Sequence, residues 1–237
     1  MTSVVAIIPA RLASTRLPGK VLASIGGRPM LLWVVDAARR ARRIDAVYVA
    51  TGDDAVAAAC AAVGQPVLRT RADLPSGTDR VAAAATQLGA DIVVNVQADE
   101  PTVSPQSLDA LVGVFSDPGV DFASLMTALQ PHERQDPHRV KVWCTPVGDA
   151  RLFRRDEGGD AEARLHLGIY AYRRHRLQAF ARLPPSPLER AHRLEQLRAL
   201  EQGWPIRMVE TSWRGLAVDT PADLARARRY FDAGLGA

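Results

Sequence analysis

Residues 4–20 read Val4-Val5-Ala6-Ile7-Ile8-Pro9-Ala10-Arg11-Leu12-Ala13-Ser14-Thr15-Arg16-Leu17-Pro18-Gly19-Lys20, an apolar run followed directly by a basic loop. The run 4–8 predicts a buried β-strand. In open α/β sheets, ligands bind outside the carboxyl ends of the strands, which is where this loop would lie. Its three cations, Arg11, Arg16 and Lys20, are of the kinds that neutralise phosphate oxygens. The stretch therefore predicts a strand that leads into a triphosphate-binding loop.

The loop differs from a Walker A loop, because the spacing G-x-x-x-x-G-K-[ST] is missing and Lys20 is followed by Val21. Pro9 and Pro18 keep the segment out of a helix, and Gly19 lets the backbone approach a ligand closely. A solvated basic loop is the simpler alternative. Three cations between fixed proline and glycine positions favour the anion site.

Short apolar runs alternate with helical patterns along the chain, which favours βαβ units, an α/β fold and a mostly parallel sheet. The predicted strands are 4–8, 46–50, 92–96, 122–128, 139–144, 166–172 and 205–210. The predicted helices are 30–42, 53–63 and 79–88, a capping-box helix that begins at Ser186-Pro187 and carries Leu194, Leu197 and Leu200, and a last helix that begins at Thr220-Pro221. We find no linker, so we expect one domain over 1–237, with an exposed loop at 148–162.

Composition narrows the function classes. The 237 residues carry a net charge of +4, but the arginines are spread over helices and aromatic residues are scarce, so we expect no nucleic-acid partner. Cys60 and Cys144 lack metal-ligand spacing and predict buried thiols in a reducing compartment. We find neither a leader pattern nor an apolar run long enough to span a membrane, so we expect a cytoplasmic protein with no membrane partner.

Two aspartates predict a metal site. Asp99 follows the apolar strand 92–96, and Asp219 follows the short apolar run 216–218. Mg²⁺ prefers oxygen ligands and is usually held by one or two carboxylates together with substrate phosphates and water. A turn residue at Asp99 and a helix cap at Asp219 are the alternatives, but the nearby basic loop favours Mg²⁺ bound by both.

Several ordered motifs resemble the 3-deoxy-manno-octulosonate (Kdo) cytidylyltransferase family. They are I-I-P-A-R-L-A-S-T-R-L-P-G-K at 7–20, T-R-A-D at 70–73 with S-G-T-D-R at 76–80, V-N-V-Q-A-D-E-P at 94–101, L-G-I-Y-A-Y at 167–172, P-S-P-L-E at 185–189, L-E-Q-L-R at 194–198 and V-D-T-P at 218–221. The resemblance runs from end to end. It implies a Rossmann-like nucleotidyltransferase fold with a small β-rich element for the acceptor and for dimer contacts.

The resemblance implies cytidylyl transfer from CTP to a sugar acid, by a homodimer that uses Mg²⁺. The residues it assigns to catalysis are Arg11, Arg16, Lys20, Asp99 and Asp219, the two aspartates as metal ligands. Those it assigns to the nucleotide are Ala10, Arg11, Ser14, Arg16, Lys20, Arg71, Ser76 and Arg80. Those it assigns to the acceptor are Gln97, Arg155, His166, Tyr170, Glu195 and Gln196. Without the resemblance, Ser76 is a helix N-cap, Arg80 a surface cation, His166 and Tyr170 core residues, and Glu195 and Gln196 part of a helix surface.

The chain departs from the family pattern at three places. Ala98 replaces a glycine, Asp136-Pro137-His138 replaces Asn-Pro-Asn, and the stretch between Arg155 and His166 is shortened. The shortened stretch leaves open an amino-Kdo, a sialic-acid-like sugar or a phosphonate as acceptor. A catalytically silent nucleotide-binding regulator is an alternative of another class, which the complete set of cations and carboxylates disfavours.

Overall fold

The structure is a computed structural model that describes residues 2–155 and 161–235. These residues form two compact units. Unit 1 contains the described residues of 1–109 and 215–237, and unit 2 those of 110–214. Unit 1 is therefore discontinuous in sequence.

The elements alternate between strand and helix, as the sequence patterns predict. The strands are β1 (Val4–Pro9), β2 (Ser24–Ile25), β3 (Arg28–Pro29), β4 (Ala46–Thr51), β5 (Val67–Arg69), β6 (Ile92–Asn95), β7 (Phe122–Ala128), β8 (Lys141–Cys144), β9 (Ala150–Arg154), β10 (Arg164–Arg173) and β11 (Arg207–Glu210). The helices are α1 (Met30–Arg40), α2 (Asp54–Ala61), α3 (Gly77–Ala85), α4 (Pro105–Gly113), α5 (Arg174–Arg182), α6 (Pro187–His192), α7 (Leu197–Glu201) and α8 (Pro221–Asp232).

Unit 1 is built on parallel strands in the order β6-β1-β4-β5. Ala6 lies opposite Val47 on one side and Val94 on the other. All six residues of β1 are buried, as expected of a central parallel strand covered on both faces. Since the strands are parallel, the segments that follow β1 and β6 leave the sheet at the same edge. This edge receives the basic loop and Asp99.

Residues 215–235 complete the core of unit 1. Val218 and Leu224 pack in one cluster with Ile25 and Met30, and Trp33 adds its ring beside that of Phe231, with centroids 4.2 Å apart. The capping box of α8 is formed by Thr220 and Asp223, as predicted. The start of α8 therefore places Asp219 firmly within unit 1.

Unit 2 is mostly antiparallel. Its strands follow the order β11-β7-β10-β8-β9, in which only the β11–β7 pair is parallel. The register of β10 against β7 shifts between Leu167 and Tyr170, which marks a β-bulge. This unit contains the β-rich element that the resemblance implies.

The α/β, Rossmann-like fold class is confirmed, and the predicted strands all form with ends that shift by at most two residues. Two finer predictions are wrong. β9 occupies part of the expected loop 148–162, because 150–154 pairs with β8; residues 156–160 of that loop lie outside the described residues. The capping-box helix ends at His192 rather than continuing through Leu200, because Arg193 takes a left-handed conformation with φ of 54°.

Two further expectations have a different standing. No helix in the described ranges is long and apolar enough to cross a membrane. The organisation of 1–237 as a single domain stays a prediction.

Candidate active site

A pocket of about 570 Å³ lies in unit 1 at the carboxyl-terminal edge of its sheet. The residues that line it come from the basic loop, the start of α3, the segment after β6 and the residue before α8. They are Pro9, Ala10, Arg11, Ala13, Ser14, Thr15, Arg16, Lys20, Val21, Ser76, Gly77, Arg80, Gln97, Ala98, Asp99 and Asp219. Four cations face two carboxylates, so the lining carries an excess of positive charge that suits a polyanion.

Backbone hydrogen bonds give the basic loop its shape. The amide of Gly19 donates to the Leu12 carbonyl at 2.9 Å, which closes the loop on itself, and Gly19 takes φ of 71° at that closure. The amide of Leu12 donates to Asp53 Oδ2 at 3.0 Å, which ties the loop to the residues after β4. The loop therefore presents its cations from a fixed backbone.

Lys20 joins the two predicted metal ligands. Its ammonium donates to Asp99 Oδ2 at 2.7 Å, to Asp219 Oδ1 at 2.8 Å and to the Val218 carbonyl at 3.0 Å. Arg16 contacts the other oxygen of Asp219 at 3.0 Å. Burial opposes the charge of Lys20, but the two aspartates outweigh it and raise the pKa of the ammonium. Lys20 therefore stays charged at neutral pH.

The donor set at this point fits a magnesium ion. One nitrogen contacts both carboxylates, so Asp99 and Asp219 lie close enough to share a cation, and their oxygens are the ligands that Mg²⁺ prefers. Across the described ranges, no group of three or more His, Cys, Asp or Glu is arranged to hold a metal. A metal here would need nucleotide and water oxygens to complete its ligands.

The second nucleotide-side segment is held by Arg80. Its guanidinium donates to Thr70 Oγ1 at 2.7 Å, to the Arg71 carbonyl at 2.8 Å and to the Ala72 carbonyl at 3.1 Å. Arg80 is buried, so the alternative interpretation as a surface cation is wrong. Ser76 caps α3 by accepting from the Asp79 amide, and it also lines the pocket.

Arg71 is the one predicted nucleotide contact that does not line this pocket. Its exposed side chain forms a two-bond ion pair with Asp73, at 2.9 Å from Nε and 2.6 Å from Nη2. A contact between Arg71 and a nucleotide would require this side chain to leave Asp73.

The predicted acceptor residues divide between the units. Gln97 lines the pocket of unit 1 and donates to Asn95 Oδ1 at 3.0 Å. The others belong to unit 2, where the Tyr170 hydroxyl donates to Gln196 Oε1 at 3.3 Å. Gln196 is buried, and its Nε2 has no hydrogen-bond partner in the structure.

His166 and Tyr170 lie side by side, with ring centroids 5.6 Å apart. Burial, together with the charge of Arg155, lowers the pKa of His166 to about 3, and burial raises the pKa of Tyr170. Both side chains are therefore neutral at physiological pH. Glu195 lies 3.9 Å from Arg198.

Residues 5–210 match the family described as Cytidylyltransferase. The 3-deoxy-manno-octulosonate cytidylyltransferase of Anaeromyxobacter sp. (strain Fw109-5) is 47% identical over 243 residues, which cover 99% of each chain. That of Nitratidesulfovibrio vulgaris (strain DP4) is 49% identical over 231 residues, which cover 92% of each chain. The chain belongs to the 3-deoxy-manno-octulosonate cytidylyltransferase family.

A solved CMP-2-keto-3-deoxy-manno-octonic acid synthetase, complexed with CTP, has the same fold as this Kdo cytidylyltransferase family member. The TM-score is 0.94 at 39% identity, over 98% of this chain and 100% of that chain. The resemblance found in the sequence is thus confirmed, and the chain belongs to a family of nucleotidyltransferase enzymes.

One departure from the family pattern has a structural answer. Among the described residues, Arg193 is the only non-glycine residue with positive φ. Ala98, which replaces the family glycine, therefore causes no left-handed strain. Its methyl group lies in the pocket lining and is almost fully buried.

Sequence reasoning missed residues that act through the polar groups of this Kdo cytidylyltransferase family member. Asn95 links Gln97 to Thr78, and Arg198 binds Glu189 with two hydrogen bonds of 2.8 and 2.6 Å between α7 and α6. Their partners are far away in sequence or on another element. The motif pattern alone could not reveal them.

Proposed function

We propose that this chain is a CTP-dependent cytidylyltransferase that transfers CMP to the anomeric hydroxyl of Kdo, giving CMP-Kdo and pyrophosphate. The observation that carries the proposal is the pocket in which the basic loop meets Asp99 and Asp219. The names of its relatives and the CTP in the similar solved structure support the same reaction.

The reaction is an in-line displacement at phosphorus. The acceptor oxygen bonds to the α-phosphorus of CTP while the bond from that phosphorus to the bridging oxygen breaks. The hydroxyl loses its proton, and the electron pair leaves with pyrophosphate. Such a transfer needs alignment and charge neutralisation rather than a covalent enzyme intermediate.

The cations of the basic loop neutralise the triphosphate. Arg11, Arg16 and Lys20 line one wall of the pocket and carry charge that offsets the leaving pyrophosphate. Ala10 and Ser14 line the same wall, and Ser76 with Arg80 lines the α3 side. We assign these residues to CTP, with Arg71 joining them only if it leaves Asp73.

Asp99 and Asp219 are the residues that would hold Mg²⁺, because both point an oxygen to the same place. When bound, the metal would polarise the α-phosphate and lower the pKa of the attacking hydroxyl. Lys20 would then have to share the carboxylates or turn to the phosphates. Its flexible stem and compact ammonium suit that change of partner.

Kdo is the acceptor that the relatives' names favour over an amino-Kdo, a sialic-acid-like sugar or a phosphonate. A sugar acid needs fixed polar groups for its hydroxyls and its carboxylate. The family resemblance assigns these contacts to Gln97, Arg155, His166, Tyr170, Glu195 and Gln196. The unpaired Nε2 of Gln196 supports a polar ligand at that side chain.

We further propose a homodimer in the cytoplasm, on the basis of the family resemblance and of two cysteines that are free thiols. Light scattering across a concentration series should give twice the 25.6 kDa mass of the chain. A constant monomer mass would contradict the dimer.

The deciding experiment measures pyrophosphate release with Kdo and Mg²⁺ in the presence of CTP, UTP, ATP or GTP. We expect CTP to give a rate at least tenfold above the others. A rate with UTP or a purine triphosphate equal to that with CTP would contradict the nucleotide assignment.

A second experiment fixes the acceptor. Kdo, its 8-amino analogue, a sialic acid and a hydroxyalkylphosphonate would be compared with CTP and Mg²⁺. Turnover of another compound without turnover of Kdo would overturn Kdo and leave cytidylyl transfer standing.

A further inference from the structure

Ser124 lies fully buried on β7, and its hydroxyl oxygen has three polar neighbours. His166 Nε2 is 2.9 Å away, the Ile169 carbonyl is 2.9 Å away and the Leu167 carbonyl is 3.3 Å away. No motif singled out Ser124, yet it is the hydrogen-bond partner of a predicted acceptor residue.

The β-bulge of β10 explains why these groups meet. Leu167 lies opposite Leu125 and Tyr170 lies opposite Ser124, so two β10 residues have no opposite residue on β7. In a regular strand, residues four apart are separated by roughly 13 Å. The bulge brings the His166 and Tyr170 rings to 5.6 Å between centroids. Ser124 therefore lies where the bulge gathers both side chains.

Counting protons at Ser124 fixes the state of the histidine. A serine hydroxyl has one proton to donate, whereas a carbonyl can only accept. If that proton pointed to His166 Nε2, a lone pair of the hydroxyl would face the Ile169 carbonyl oxygen at 2.9 Å, which is repulsive. The proton therefore points to Ile169, and Nε2 must donate to the hydroxyl.

The other ring nitrogen then carries a lone pair. In the part of the chain that the structure describes, His166 Nδ1 has no protein hydrogen-bond partner. Burial keeps the ring neutral, as the lowered pKa also indicates. Nearby, Gln196 gives its Oε1 to Tyr170 and keeps an unpaired Nε2 donor.

We propose that Ser124 is a positioning residue that holds His166 as the neutral Nε2–H tautomer, so that Nδ1 accepts a hydrogen bond from a hydroxyl of the sugar acid. The proposal rests on the proposed function for its ligand. It assigns His166 to a hydroxyl rather than to the carboxylate, because a bare ring nitrogen repels an anionic oxygen.

The test combines nitrogen-15 NMR of histidine-labelled protein at pH 7.5 with steady-state kinetics. The His166 signals are identified by their loss in His166→Gln. We expect the Nε2–H pattern in the unsubstituted protein and in Ser124→Thr, which keeps a hydroxyl. In Ser124→Ala we expect a mixture of tautomers, a Kdo KM raised at least tenfold and a CTP KM within twofold. Ser107→Ala, which removes a buried serine hydroxyl from α4, serves as the matched control and should change none of these.

Two results would overturn the proposal. One is an Nδ1–H pattern in the unsubstituted protein, which can be read even if Ser124→Ala fails to fold. The other is a tautomer change in Ser124→Ala with an unchanged Kdo KM, which would remove the substrate contact. Lack of any CTP-dependent turnover would contradict the proposed function instead, since the NMR result does not depend on activity.

Discussion

Lys20 shows how one side chain can serve a charged site in more than one way. Its ammonium uses all three of its protons on Asp99, Asp219 and the Val218 carbonyl. The side chain is only 12% exposed, so water contributes little to stabilising the charge. The same group therefore keeps two carboxylates together and supplies a positive charge to the pocket.

Lys20→Met should lower turnover at least 100-fold, because the triphosphate loses a charge partner in a site with little water. Lys20→Arg should also be slow, since the planar fork must enter a space shaped for an ammonium. Pyrophosphate release at saturating CTP measures both. Arg28→Met, which removes a cation paired with Asp36, is the control and should stay within twofold. An active Lys20→Met enzyme would make the basic loop a solvated connection.

Asp99→Asn and Asp219→Asn should each lower turnover by at least 100-fold, which corresponds to about 3 kcal/mol of transition-state stabilisation. The amide keeps the shape of the side chain but binds Mg²⁺ and Lys20 more weakly. Circular dichroism should show a retained fold. Asp36→Asn is a matched control outside the pocket. Near-normal turnover in either pocket variant would show that the metal ligands lie elsewhere.

At the scale of elements, the close approach of two backbone segments depends on Gly52, directly after β4. A β-carbon at Gly52 would lie 2.6 Å from the Ala72 α-carbon and 2.9 Å from the Thr70 carbonyl oxygen. These are backbone atoms, which cannot rotate away. They belong to the segment that Arg80 holds, so β4 and the second nucleotide-side loop fit together without space for a methyl group.

Gly52→Ala should therefore lower the free energy of unfolding by about 1–3 kcal/mol, the usual range for overpacking. Urea unfolding measures it. Gly89→Ala is the control, because a β-carbon there meets no atom within 4 Å and φ is not positive. Equal stability of Gly52→Ala and the unsubstituted protein would mean that the 70–72 segment moves easily.

The sequence predicted elements well where local patterns decide them. Apolar runs located the strands, and the Ser186 and Thr220 capping boxes formed as expected. It failed where a distant partner decides the outcome. β9 forms because β8 offers it a ladder, and the bulge in β10 depends on its register against β7. For the pocket, family motifs identified most lining residues, whereas the buried role of Arg80 could be seen only once its three acceptors were in place.

At the scale of the whole molecule, His166 links stability to pH. Its pKa is about 3 in the folded protein, against 6.5 for an unburied histidine. Above pH 6.5 the ring is neutral in both states, so the histidine causes no change in stability. As the pH falls below 6.5, the unfolded chain binds a proton that the folded chain does not, and the folded state loses stability until about pH 3.

Between pH 6.5 and 5.0, the unsubstituted protein should therefore lose about 1.5 kcal/mol more unfolding free energy than His166→Gln. This window lies above the ordinary pKa of 4.5 for glutamate, so buried carboxyls such as Glu133 and Glu189 contribute little to the difference. Chemical denaturation at the two pH values gives both slopes. Parallel slopes would show that His166 is protonated in the folded protein.

The discontinuity of unit 1 determines when a nascent chain can complete it. The strands β1, β4, β5 and β6 emerge early, but Val218, Asp219 and α8 follow only after the whole of unit 2 has been translated. At about 5–20 residues per second, the ribosome needs roughly 5–20 s to make that intervening stretch. During this interval Lys20 has no Asp219 to bind, and Ile25 and Met30 lack the apolar side chains that cover them. We therefore expect the newly made amino-terminal half to be a client for chaperones that bind exposed apolar surface.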